Sequence, residues 1–91
     1  MTDAPTQPIF DRAAEAYDAY LVPAFFDEWA GEVTRRLGPQ GDVVVDVGCG
    51  TGVLAPHLLG AGWQRVLGVD ASGGMLARAA LRAPGAAWVK G

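Results

Sequence analysis

Three glycines at alternate positions, Gly48, Gly50 and Gly52, follow the run VVVDV, and a second run, RVLGVD, closes on an aspartate, Asp70, twenty residues past Gly50. Gly48 and Gly50 can adopt positive φ and carry no side chain, so a ligand can come close to bare main chain there. A helix starting just after them would add unpaired N–H groups. A carboxylate at the tip of the neighbouring strand is placed to accept hydrogen bonds from a ribose diol. Glycines alone would be weak evidence, but glycines with Asp70 at this spacing point to an adenosine-containing ligand.

Two features select among such ligands. The dinucleotide fingerprint is G-x-G-x-x-G, whereas here the pattern is G-x-G-x-G, with Val53 at the position of the third fingerprint glycine. Asp46 lies two residues before Gly48. A carboxylate there would repel a pyrophosphate and favour an ammonium or a sulfonium, the more so in a low dielectric. S-adenosylmethionine carries both cations, a ribose and no phosphate.

The elements that must position these residues can be read from periodicity. Residues 1–8 are polar with Pro5, and are expected to be a flexible tail. PIFDRAAEAYDAYL places Phe10, Ala13, Ala14, Tyr17 and Leu21 at helical spacing, with Pro8 in the first turn and Pro23 ending or kinking the segment. A second helix, AFFDEWAGEVTRRLG, has Phe26, Trp29, Val33 and Leu37 as its apolar stripe and stops at Gly38-Pro39. The nearly continuous apolar run DVVVDV then predicts a strand buried on both faces. VLAPHLLG predicts a helix, RVLGVD a strand, SGGMLARAALRA a helix capped by Ser72, and AAWV a third strand. Strand, helix, strand, helix, strand with short connections is an α/β, Rossmann-like parallel sheet, here incomplete at three strands and preceded by two leading helices. In such a sheet, ligands bind outside the carboxyl ends of the strands, where GCGTG and Asp70 fall.

Bulk properties narrow the function. The 91 residues are 51% hydrophobic and carry a formal net charge of −3, which fits one small globular unit and argues against phosphate neutralisation on a nucleic acid. No run reaches the roughly 18–20 apolar residues of a membrane span, and MTDAPTQPIF lacks the basic start and apolar stretch of a secretory signal. One cysteine excludes an internal disulfide. These features lead to the expectation of a soluble, cytoplasmic protein that binds neither membrane nor nucleic acid. Cys49 has no activating base near it in sequence, His57 has no second ligand-type residue at metal spacing, and no metal site is expected. Arg78 and Arg82 read as a solvated i,i+4 face. Trp29, Trp63 and Trp88 read as core or lid packing.

VVDVGCGTG followed by VLGVDASGGML resembles motif I and the following acidic segment of the class I S-adenosylmethionine-dependent methyltransferases. FDRAAEAYDAY is similar to the helix that precedes the core in small-molecule methyltransferases of the ubiquinone/menaquinone-biosynthesis type. The resemblance spans residues 9–91 and implies the cofactor-binding half of such a domain. It implies that Gly48, Cys49 and Gly50 line the methionine part of the cofactor, and that Asp46 holds its amino end. It further implies that Asp70 binds the ribose, that Ala71 and Met75 lie against the adenine, and that Tyr17 reaches over the methionine carboxylate. A small-molecule methyl acceptor is implied, and the catalytic residues stay unassigned. The strand that in the family lies beside the first one has no counterpart here, so the chain is expected to be truncated, with VVVDV an open apolar edge available for self-association. The alternatives left standing are a nicotinamide-dinucleotide-binding oxidoreductase fragment and a non-catalytic remnant of the fold.

Overall fold

The computed structural model describes residues 13–38 and 41–91. The tail expected over residues 1–8, the helix start at Pro8 with Phe10, and Pro39 lie outside the described residues. The element order is α1 (Tyr17–Phe26), α2 (Asp27–Leu37), β1 (Val43–Val47), α3 (Leu54–Gly60), β2 (Arg65–Asp70), α4 (Gly73–Arg82) and β3 (Ala87–Lys90). None of the described helices is long and apolar enough to cross a membrane.

The three strands form one parallel sheet in the order β1-β2-β3. Val45 pairs with Leu67 and Leu67 with Ala87, while Asp46 pairs with Gly68 and Gly68 with Trp88. Side chains alternate across a strand, so Val44, Asp46, Val66, Gly68 and Trp88 share one face. That face meets α3 and α4 through a core of Ala55, Leu58, Val66 and Ala83, with Val44, Trp63 and Trp88 packed around it. Burying a side chain such as Leu58, 2% exposed, contributes about 1.5–3 kcal/mol.

The other face departs from the expectation of a strand buried on both sides. Val43, Val45 and Val47 are 51%, 49% and 80% exposed, and Val89 is also open. Valine runs form strands whether or not both faces are covered, since the β-branched side chain fits the pleat itself. At these four positions the face is open, and β1 is an edge strand.

The leading helices also differ from expectation. Pro23 neither ends nor sharply breaks α1; the segment winds as a π-helix, and the N–H of Asp27 donates to the carbonyl of Val22, five residues back. Proline has no N–H to give and its ring crowds the carbonyl four residues earlier, and the wider winding relieves both. In α2 the inward residues are Ala30 and Thr34, whereas Trp29 and Leu37 are more than half exposed. The small residues let α2 lie close on α3, where a Cβ at Gly31 would meet the His57 ring at 3.6 Å. His57 is an exposed-side helix contact, with Nε2 2.9 Å from Asp27 Oδ1.

Candidate functional site

The turn after β1 is built on the tip of β2. The N–H groups of Gly48 and Cys49 both donate to the carbonyl of Val69, at 2.7 and 3.0 Å. Gly48 and Gly50 have φ of 73° and 57°, a left-handed conformation that glycine adopts without the steric penalty of a Cβ. A Cβ on either would meet nothing within 4 Å, so both turn open main chain outward. Gly52 has a different task. A Cβ there would lie 2.7 Å from the Trp88 ring and 2.8 Å from Ala79 Cβ, so its bareness lets the loop seat on β3 and α4.

Asp70 joins the two strand ends. Its Oδ2 accepts from the Gly50 N–H at 2.8 Å and its Oδ1 from the Ser72 N–H at 2.9 Å. A carboxylate offers about four lone-pair positions, so two remain for a ligand. Ser72 caps α4 as expected, its Oγ accepting from the Met75 N–H at 3.2 Å.

Above this turn lies a cleft with two lobes. The larger, about 470 Å³, is lined by Tyr17, Val47, Gly48, Gly50, Val69, Asp70, Ala71, Met75 and Gly91. The smaller, about 170 Å³, is lined by Tyr17, Phe26, Trp29, Asp46, Gly48, Cys49, Gly50, Val53 and Leu54. Tyr17, Gly48 and Gly50 border both. All eight residues expected to contact a cofactor therefore border this cleft: Asp70, Ala71 and Met75 at the large lobe, Asp46 and Cys49 at the small one, and the other three between. The Tyr17 ring is held by stacking on Phe26, with centroids 5.3 Å apart.

The electrostatics of the cleft are one-sided. Its described lining includes two carboxylates and no lysine, arginine or histidine. Burial, reinforced by the charge of Asp70, holds the Asp46 carboxyl above the ordinary carboxylate range. Burial and the charge of Asp18 likewise raise the Tyr17 phenol, against the opposing pull of Arg82, so it remains a hydrogen-bond donor at neutral pH. Burial and both cleft carboxylates push the Cys49 thiol up to about 12. A protonated thiol is no nucleophile, and its Sγ is turned under the loop, 2.9 Å from where a Cβ on Gly68 would stand.

The raised Asp46 has a measurable consequence. A carboxyl whose folded pKa is raised favours the fold below its unfolded pKa and loses that contribution as pH rises through the folded value. At neutral pH the Asp46 charge therefore costs stability. Asp46→Asn is expected to raise the unfolding free energy of the ligand-free protein at neutral pH and to remove the gain that the wild type shows on mild acidification. Urea unfolding at the two pH values checks both. Lower stability of the variant at neutral pH would show that Asp46 is a satisfied structural carboxylate.

Several site features escaped sequence reading. Phe26 and Trp29 wall the small lobe, the latter 54% exposed. Arg82 is not on a solvated face: its Nη1 donates to the carbonyl and hydroxyl oxygens of Thr51 at 2.7 and 2.9 Å, and its Nη2 pairs with Asp18. Arg78 Nε also reaches Asp18, at 3.2 Å. An i,i+4 pair of arginines looks the same in sequence whether it meets water or a buried acid sixty residues away.

Comparison with known proteins gives a consistent family. A methyltransferase-domain family model matches residues 44–91. The chain is 44% identical over 71 residues to malonyl-[acyl-carrier protein] O-methyltransferase of Yersinia pestis, covering 74% of this chain and 24% of that protein. It superposes on a TehB-like SAM-dependent methyltransferase from Corynebacterium glutamicum with a TM-score of 0.72 and 25% identity, covering 92% of this chain and 46% of that one. It also superposes on DhpI, solved as a complex with SAH, with a TM-score of 0.73 and 28% identity, covering 94% of this chain and 43% of that one. The chain thus spans about a quarter of the curated relative and less than half of each solved structure.

Proposed function

The chain belongs to the class I S-adenosylmethionine-dependent methyltransferase family, and from that membership we propose that it binds S-adenosylmethionine in this cleft for methyl transfer to a small-molecule acceptor. The observation that carries the proposal is the charge of the cleft: Asp46 and Asp70 face a ligand space with bare main chain at Gly48 and Gly50 and no cationic side chain in its described lining. That chemistry suits a cationic nucleoside and opposes a pyrophosphate.

The residues fit the group in detail. Asp70 keeps lone pairs for a ribose diol, and Ala71 and Met75 offer apolar contact to a base in the large lobe. The bare turn accommodates the methionine chain, Asp46 favours its ammonium, and the Tyr17 phenol donates toward its carboxylate. When bound, the cofactor supplies a methyl group made electrophilic by its sulfonium. The contribution of the chain is to bind and orient, and orientation is the main demand of an in-line displacement. Phe26 and Trp29 give the small lobe an aromatic wall, which supports an organic acceptor over a polyanion. The relative in Yersinia pestis is named for a malonyl group on an acyl-carrier protein, so a carboxylate-bearing acceptor is the first class to try. The single thiol suits the reducing cytoplasm.

Calorimetric titration with S-adenosylhomocysteine and with NAD separates this reading from the oxidoreductase one. Saturable binding of S-adenosylhomocysteine without a response to NAD is the expected result. The opposite order would overturn the proposal, and binding of neither would favour a non-catalytic remnant.

A further inference from the structure

We propose that Asp18 is a positioning residue: through Arg82 and Thr51 it locks the helix that carries Tyr17 onto the glycine turn, and so sets recognition of the methionine end of the cofactor. This inference rests on the cofactor reading above. Asp18 follows Tyr17 directly, yet its side chain is only 9% exposed. It accepts from Arg78 Nε at 3.2 Å and from Arg82 Nη2. The other arm of the same guanidinium holds both oxygens of Thr51, a fully buried residue next to Gly50. One planar fork thus bridges a leading helix and the loop that shapes the cleft, and arginine suits this because its donors keep a fixed geometry. Burial opposes the charge on Asp18, but hydrogen bonds from the Thr51 hydroxyl and from Arg82, with the charge of Arg82 and the Arg78 contact, outweigh it and hold the carboxyl below its ordinary range. The acid is therefore ionised throughout the neutral range.

The linkage bears on one end of the ligand only. Tyr17 stands between the lobes, whereas Asp70, Ala71 and Met75 are held by β2, the turn after it and the first turn of α4, and the Asp18 contacts reach α4 only beyond that turn, at Arg78 and Arg82. Loosening α1 should therefore weaken a ligand with an amino-acid tail and spare one without. The test compares S-adenosylhomocysteine with methylthioadenosine, which lacks that tail, on the wild type and on Asp18→Asn. The isosteric variant is expected to lose about tenfold in affinity for S-adenosylhomocysteine, the size of one charge-assisted hydrogen bond, and less than about twofold for methylthioadenosine. Parallel losses on both ligands would mean that Asp18 only supports the fold, and no loss on either would mean that the clamp does not reach the site; both overturn the inference. Should Asp18→Asn not fold, Arg82→Lys keeps a cation near Asp18 but gives up the fork to Thr51, and the same split is expected. A wild type that binds neither ligand would defeat the cofactor reading itself, and the inference with it.

Discussion

Asp70→Ala is expected to lower affinity for S-adenosylhomocysteine by at least about a hundredfold, since hydrogen bonds to a charged group contribute about 1.5–3 kcal/mol each and a ribose diol offers two. The loss has a second source. The carboxylate accepts the N–H groups of Gly50 and Ser72, so its removal also leaves two backbone donors without their partner and frees the turn that borders the cleft. Asp70→Asn should be nearly as damaging: its amide presents one oxygen and one NH2, so one of the two N–H groups would face another donor. Calorimetry on the two variants, with circular dichroism to establish that they fold, reads the result. Affinity within about threefold of wild type would remove Asp70 from ligand binding, because a single hydrogen bond to a charge exceeds that.

The largest effect on stability is expected from Gly68→Ala. A Cβ there would lie 2.3 and 2.4 Å from Trp88 ring carbons and 2.9 Å from Cys49 Sγ. The Trp88 ring has no easy retreat. A Cβ on Gly52 would also lie 2.7 Å from that ring, so the loop closes in on it as well, and its Nε1 donates to the carbonyl of Ala83 at 3.2 Å. Gly68 is also on β2, the central strand, so the backbone is held by both neighbours. Overpacking of this kind costs about 3 kcal/mol or more where nothing can move, a large part of the roughly 5–15 kcal/mol of a folded domain. Gly60→Ala is the control, because a Cβ at Gly60 on α3 meets nothing within 4 Å. It should be neutral or stabilising by up to about 1 kcal/mol, from helix propensity. Urea unfolding followed by tryptophan fluorescence distinguishes the two, and equal stabilities would show that the Trp88 wedge yields.

The local signals were legible. The strands at Arg65–Asp70 and Ala87–Lys90, the helix capped by Ser72 and the glycine turn all announce themselves within a few residues, and the cleft between Gly48, Gly50 and Asp70 follows from parallel topology alone. What could not be read depends on partners distant in sequence. Periodicity points to the large residues as the stripe of α2, but a close helix contact selects small ones, so Ala30 and Thr34 point in while Trp29 walls a cavity. The apolar run of β1 carries no information on whether its second face is covered. Arg82 finds Asp18 and Thr51 only once α4 and the leading helix are folded against the same loop.

The winding of α1 has an effect on Tyr17 that side-chain chemistry alone does not reveal. Phe26 stands nine positions after Tyr17, which is about two full turns at the π pitch but about two and a half at 3.6 residues per turn. The rings can therefore stack at 5.3 Å only because the helix is underwound; at the ordinary pitch they would stand on opposite sides of the cylinder. The azimuth of the phenol is thus encoded in backbone gearing, with Pro23, a residue outside the lining of the cleft, helping to fix the gear ratio.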